Sequence, residues 1–197
     1  MTIDLIPESL RRKYEVHEWK HACAVLKEDF PEEWSEILSV LGEFKLHKSD
    51  ILAPGGGLSR VSQRFDKAFE SRHWKEKSFE TQIVVDKKQI ETPTHKVDCV
   101  KSKVALEIEW SNKDPFFDRD LNNFRLLFDL RAISVGIIIT KSDELSEIFK
   151  GLGDAVWNKY GWSSTWMKKL LPRIEGGGGG GCPILVFGIT KKLYIEG

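Results

Sequence analysis

The run from Ala132 to Thr140, AISVGIIIT, constrains this chain more than any other segment. Its apolar residues fall on both faces of an extended strand, and a strand without a polar face belongs inside a sheet covered on both sides. The later run PILVFGIT has the same texture and reads as a last buried strand. The segments TQIVVD, HKVDCV and KVALEIEW are rich in β-branched residues and predict further strands. Helical spacing alternates with them. From Val16 to Leu46, Trp19, Ala22, Cys23, Leu26, Trp34, Ile37, Leu38 and Leu41 recur every three or four residues around Pro31, which predicts two short helices. After the breaker Ala53-Pro54-Gly55-Gly56-Gly57, a third helix is predicted from Leu58 to Trp74. Another spans Asp118 to Arg131, and Ser142 is placed as the N-cap of a helix carrying Leu145, Ile148 and Phe149. Past Gly151 the chain is irregular and loop-like. The glycine run from Gly176 to Gly181 offers no side chains to pack, and is expected to be mobile unless a partner holds it. The fold class is α/β, a mixed β-sheet core flanked by helices, in one domain over residues 1–197.

Several function classes are excluded by composition. Thirty Lys plus Arg balance thirty Asp plus Glu, so the chain is not one that coats nucleic acid by bulk attraction. Locally the balance shifts: Arg60, Arg64, Lys67, Arg72, Lys75 and Lys77 outnumber the acids around them and offer a basic face. Ordinary solvated helix faces have the same look. Three Cys without a CxxC pair, and no His at zinc-finger spacing, indicate neither a disulfide framework nor a structural zinc site. No apolar run reaches membrane-spanning length and the N-terminus lacks the apolar core of a signal peptide, so the expected location is the cytoplasm.

Chemistry concentrates in VDCVKSKVALEIEW. Asp98 lies on one strand; after a turn at Lys101-Ser102-Lys103 the next strand carries Glu107 and Glu109, two residues apart and therefore on one face. In a hairpin Asp98 joins them. Carboxylates packed this closely repel and raise one another's pKa, a cost that an oxygen-preferring divalent cation removes, so the site asks for Mg2+ with Asp98 and Glu107 as ligands. Such an ion polarises a phosphoryl oxygen and activates water, and Glu109 is the candidate base. Outward Glu residues alternating with apolar ones also occur on any half-exposed strand.

The string DCVKSKVALEIEWSNKDPF resembles the catalytic segment of the BglII and BstYI group of type II restriction endonucleases, in the spacing of Asp98 to Glu107 and the Ser-Asn after the aromatic. That group carries Gln where this chain has Glu109; the related BamHI has the Glu-x-Glu form. Many nucleases of this architecture place a Lys there, so Glu109 acts as an acceptor rather than a cation. The resemblance implies a restriction-endonuclease-like fold and catalysis by Asp98, Glu107 and Glu109. It implies base reading by Ser111 and Asn112 and by Ser163, Ser164 and Thr165 in the YGWSSTW loop, a target with GATC at its centre, and a companion methyltransferase that protects the host. RHWKEK resembles the end of the helix before the first catalytic strand, where Glu76 or Glu80 is a candidate auxiliary acid. Arg64 and Lys75 are candidates to grip phosphates.

The expected activity is thus Mg2+-dependent hydrolysis of double-stranded DNA at a short palindrome. A homodimer is expected, with Asp118 to Arg131 and the helix after Ser142 as candidate interface elements, because cutting both strands needs two sites related by a two-fold axis. A catalytically silent DNA-binding domain and a junction or repair nuclease are the alternatives on the same fold.

Overall fold

The computed structural model describes residues 2–54 and 57–196; Gly55 and Gly56 of the expected breaker lie outside the described residues. The elements run α1 (Glu8–Arg11), β1 (Tyr14–Trp19), α2 (Ala22–Asp29), α3 (Pro31–Glu43), β2 (Leu46–His47), α4 (Lys48–Leu52), α5 (Arg60–Glu70), β3 (Lys75–Lys77), β4 (Glu80–Val85) and β5 (Lys88–Pro93). They continue with β6 (Val97–Lys101), β7 (Val104–Ile108), α6 (Pro115–Asp129), β8 (Val135–Lys141), α7 (Leu145–Gly151), α8 (Asp154–Tyr160), α9 (Met167–Glu175), β9 (Ile184–Ile189) and β10 (Tyr194–Ile195).

Among the described residues a six-stranded mixed sheet has the order β1-β9-β8-β7-β6-β3. Strands β7, β8 and β9 are parallel, while β1, β6 and β3 run antiparallel to their neighbours. Alternate residues of the central strands face two separate cores, as the two-sided apolar texture of β8 and β9 requires. Ile137, Ile139, Leu185 and Phe187 pack with α2, α3, α5, α7 and α8 through residues such as Leu26, Ile37, Phe65, Phe149 and Tyr160. Ile138, Ile184 and Val186 pack on the other side with Phe117, Leu121 and Phe124 of α6 and Leu170 and Ile174 of α9. Ala105 of β7 belongs to this second layer, and so do Glu107 and Glu109, which follow it at the strand period. That placement decides which helix builds the site.

Several expectations are corrected. Val16–Trp19 belongs to strand β1, paired with β9, and not to a helix; Trp19 falls in helical phase with Ala22 although YEVHEW alternates. Positive φ angles at Lys20 and His21 turn the chain into α2, and the Glu18 carboxylate accepts from the Cys23 N–H at 2.9 Å. Pro31 opens α3 as its first residue, where its missing N–H costs nothing. The third helix is shorter than predicted, running from Arg60 to Glu70 with Ser59 as N-cap, and Lys75–Lys77 of RHWKEK is edge strand β3, not a helix end. Ser142 is not the N-cap of α7: Glu144 holds that position, without a side-chain cap. The region from Gly151 to Pro183, expected as loop, contains α8 and α9, whose apolar residues Val156, Tyr160, Met167, Leu170 and Ile174 are buried at helical spacing.

The glycine run is not a free tether. Gly177 and Gly178 donate to the carbonyls of Ile174 and Arg173 at 2.9 Å each, and the Lys20 ammonium donates to the Gly180 carbonyl at 2.5 Å. Gly177 and Gly180 adopt φ of 90° and 55°, a region other residues enter at a cost, so the tract is a compact C-cap rather than a linker. Cys23, Cys99 and Cys182 are free and buried. Among the described residues no helix is long and apolar enough to cross a membrane.

Candidate functional site

The β6–β7 hairpin turns at Ser102, whose φ of 50° sets the tight reversal. Cys99 pairs with Leu106, which places Asp98 opposite Glu107. The two strands are pinned through these acids: the Ile108 N–H donates to Asp98 Oδ2 at 2.9 Å, and the Asp98 N–H donates to Glu107 Oε2 at 3.3 Å. Glu109 lies one step past β7, where its N–H donates to the Ile139 carbonyl at 2.8 Å and prolongs the parallel ladder. The acids therefore stand near the carboxyl end of β7 beside a parallel strand, the end of an open α/β sheet where ligands bind.

Helix α6 crosses this face and contributes two residues not anticipated from the sequence. Asp120 is as buried as Glu107 and Glu109, each 1% exposed, and its charge bears on Glu109. Arg119 donates to Asp120 Oδ1 from Nε at 2.9 Å and from Nη2 at 2.7 Å, and its Nη2 is 3.6 Å from Glu109 Oε1. A sequence signal for Asp120 exists: it falls in phase with Phe117, Leu121 and Phe124, an acid on the core stripe of an amphipathic helix. Nothing in the sequence indicates that Arg119 points inward beside it.

Burial, followed by the charges of Asp120 and Asp98, pushes the Glu107 pKa well above the ordinary carboxylate range. Burial and Asp120 push Glu109 up to about 9. Burial also raises Asp98, against the opposing hydrogen bond from Ile108, and raises Asp120. For Arg119 burial disfavours the charge, but Asp120 and the two Glu residues outweigh it and hold its pKa above the ordinary value. One buried oxygen on each of Glu107, Glu109 and Asp120 has no hydrogen-bond partner among the described residues. An unpartnered buried carboxylate oxygen is costly and asks for a cation or a donor.

Among the described residues no three His, Cys, Asp or Glu side chains form a ready-made metal cage. Mg2+ does not need one: it keeps several waters and takes one or two carboxylates plus substrate phosphate oxygens. Asp98 and Glu107, hard oxygen donors facing one another with Glu107 Oε1 unpartnered, fit that requirement.

Beside Asp98 an open cavity of about 440 Å³ is lined by Asp66, Glu70, His73, Lys75 and Glu76 among others. Of the two auxiliary acids expected, Glu76 borders Asp98 here and pairs with Lys96 at 3.0 Å, whereas Glu80 sits exposed on β4 away from the lining. Asp66 of α5, which the sequence did not single out, is pushed to about 6 by burial and by Asp98, Glu76 and Glu70.

The segments expected to read DNA meet in space. The Thr165 N–H donates to the Asn112 carbonyl at 2.9 Å, and Lys113 bridges Ser164. Asn112 also donates from Nδ2 to Glu109 Oε1 at 3.1 Å, tying this surface to the acids. Ser163 is exposed and Ser111 and Asn112 are half-buried. The Ser164 hydroxyl is turned inward to the Tyr160 and Gly161 carbonyls, and Thr165 is fully buried beside Lys141. Lys141 is itself enclosed, donating to the Trp110 carbonyl between the Trp110 and Trp166 rings, and burial pushes its pKa down to about 7. Arg64, expected to be free for a phosphate, is instead committed to Asp50 at 2.5 Å and to the Lys45 carbonyl. Lys75 remains exposed.

A mixed sheet with helices on both faces, and acids gathered where a central strand ends, is the architecture of the restriction-endonuclease-like proteins. Residues 14–189 match the family described as Restriction endonuclease BglII/BglIII, and the chain belongs to that family, whose members are nucleases acting on DNA. Comparison with curated proteins finds no match.

Proposed function

We propose that this chain is a type II restriction endonuclease, a Mg2+-dependent homodimer that hydrolyses both strands of a short palindrome with GATC at its centre. The observation that carries the reading is Asp98 set opposite Glu107 across the β6–β7 pair, with Glu107 Oε1 buried and, among the described residues, unpartnered. Asp98 and Glu107 would hold Mg2+, which would supply Lewis-acid polarisation of a phosphoryl oxygen and a more acidic water. Glu109 takes the proton of that water as its oxygen bonds to phosphorus. The P–O ester bond opens and the departing oxygen is protonated from solvent. Glu109 can accept a proton only as the anion, which positive charge beside it favours.

Incubation with unmethylated phage DNA and Mg2+ is the test. Discrete fragments, lost with a chelator, support the reading, and sequencing their ends gives the site. Smears or structure-selective cuts point to a repair nuclease, and intact DNA to a silent domain. Ends without a GATC core remove the target assignment alone. Sedimentation on cognate DNA checks the two-fold pair, and a monomer on DNA contradicts it.

Reading falls to Ser111, Asn112 and Ser163, because Ser164 and Thr165 are committed to holding the loop. Asn112→Ala is expected to weaken cognate binding by about 1 to 3 kcal/mol while sparing non-specific binding and the salt slope. Lys75→Ala is expected to weaken both and flatten the slope by about one unit. Anisotropy titrations at several salt concentrations separate the two patterns, and an Asn112 variant that weakens both kinds of DNA equally removes it as a reader.

A further inference from the structure

We propose that Arg119 is a catalytic residue, the cation that donates to a non-bridging oxygen of the scissile phosphate in place of the positive charge missing at Glu109. The inference rests on the nuclease reading above. Three observations lead to it. Strand β7 and the residue that follows it supply the carboxylates Glu107 and Glu109 and no cation. Arg119 is the cation whose charge bears on Asp98, Glu107, Glu109 and Asp120 alike. And the guanidinium straddles a boundary: Nε and Nη2 face Asp120 and Glu109, while the side chain, 27% exposed, borders an open cavity with Thr94, His95, Asn122 and Asn123.

The geometry is already set for this. The Phe116 ring lies 4.3 Å from the guanidinium carbon and fixes the arm over the first turns of α6. The double hydrogen bond to Asp120 orients the plane, and among the described residues Nη1 donates to no partner. A planar fork held by one carboxylate, on a side chain that borders an open cavity, is matched to a phosphate, which accepts charge-assisted hydrogen bonds from such a fork. As water's oxygen bonds to phosphorus and the ester bond opens, negative charge grows on the non-bridging oxygens. Arg119 stays protonated throughout, transfers nothing, and stabilises that charge.

Because removing Arg119 also strips Asp120 of its partner, the decisive comparison is the double variant Arg119→Gln/Asp120→Asn against Asp120→Asn alone, beside Arg119→Gln itself. Single-turnover cleavage at saturating phage DNA and Mg2+ is expected to fall about a hundredfold on loss of the arginine. Binding measured with Ca2+ in place of Mg2+ is expected to change by no more than about threefold. Guanidinium chloride at low millimolar concentration is expected to restore part of the rate to Arg119→Ala and none to the parent, a response that a merely structural role does not give. A double variant that cuts within about threefold of Asp120→Asn alone overturns the inference, as does absence of rescue with Tm lowered in proportion to the lost rate. A parent protein that cuts no DNA with Mg2+ defeats the nuclease reading itself; a parent that cuts while the Arg119 variants keep pace defeats this inference alone.

Discussion

Asp98→Ala and Glu107→Ala are each expected to lower single-turnover DNA cleavage by about a thousandfold or more while leaving sequence-specific binding measurable. The two acids face one another across a strand pair whose hydrogen bonds they help to make, so neither can be replaced by a neighbour moving in. In the proposed site, removing either would take away one of the two ligands of the ion and leave the surface at Ser111, Asn112 and Ser163 untouched. Stability should separate the Ala variants from Glu107→Gln. Burial, Asp120 and Asp98 disfavour a charged Glu107 in the metal-free protein, so the neutral Glu107→Gln, which keeps an oxygen for the Asp98 N–H, is expected to be no less stable than the parent. Asp98 accepts the Ile108 N–H, and its loss leaves that donor without its partner. Gel-shift, cleavage and thermal-melt measurements on the same preparations test both halves. Turnover above a few per cent of the parent in either variant removes that residue from the ion's ligands.

The second large effect is on pH dependence. Glu109 titrates near 9 in the folded chain against an ordinary value of 4.5, so the folded state binds more protons than the unfolded one between those limits. Stability then falls with rising pH across that window: the contribution of the Glu109 proton is complete below about pH 4.5 and gone above about pH 9. It is coupled to Asp120, whose pKa burial raises as well. Lys141 works the other way. Its pKa is pushed down to about 7, so its contribution grows as pH rises from there toward 10.5. The Glu109 charge supports the Lys141 ammonium, so Lys141→Met is measured beside Glu109→Gln to separate the two contributions. The metal-free Gln variant should show a much shallower loss of stability between about pH 5 and about pH 9 in denaturant titrations. Mg2+ should flatten the parent's curve as well, by stabilising the carboxylate anions directly. Parallel curves for parent and variant would place the proton elsewhere.

These effects also bear on the design of the site. Buried carboxyls packed together cost the metal-free fold stability, and under the proposed function the same arrangement would hold ligands ready for a cation. Arg119 relieves only part of the repulsion, because Glu107 and Asp120 each keep an oxygen without a partner.

The sequence by itself determined the central strands and their two-sided burial, and it brought Asp98 to Glu107 on the condition that their strands form a hairpin. Strand texture at residues 132–140 and 183–190 is a local property that demands cover on both faces, and the short turn at Ser102 leaves a hairpin as the only way to connect β6 to β7. It did not reveal β1, since Trp19 reads in phase with the helix that follows, nor α8 and α9, whose Gly and Trp residues hide a helical stripe. The order of the glycine tract was hidden for a different reason: its bonds run from main chain to main chain and to Lys20, distant in sequence. Only the tertiary structure decided what surrounds the acids. Which helix lies over β7, and which of its residues point down, depends on how α6 packs against β8 through Phe124, a contact with no trace in the spacing of residues. That packing brings Asp120 and Arg119 onto Glu109, occupies Arg64 with Asp50, and turns Ser164 and Thr165 inward. Spacing along a chain fixes which side chains share an element's face; the partners that meet that face, and with them its charge and its pKa values, are set by contacts between segments far apart in sequence.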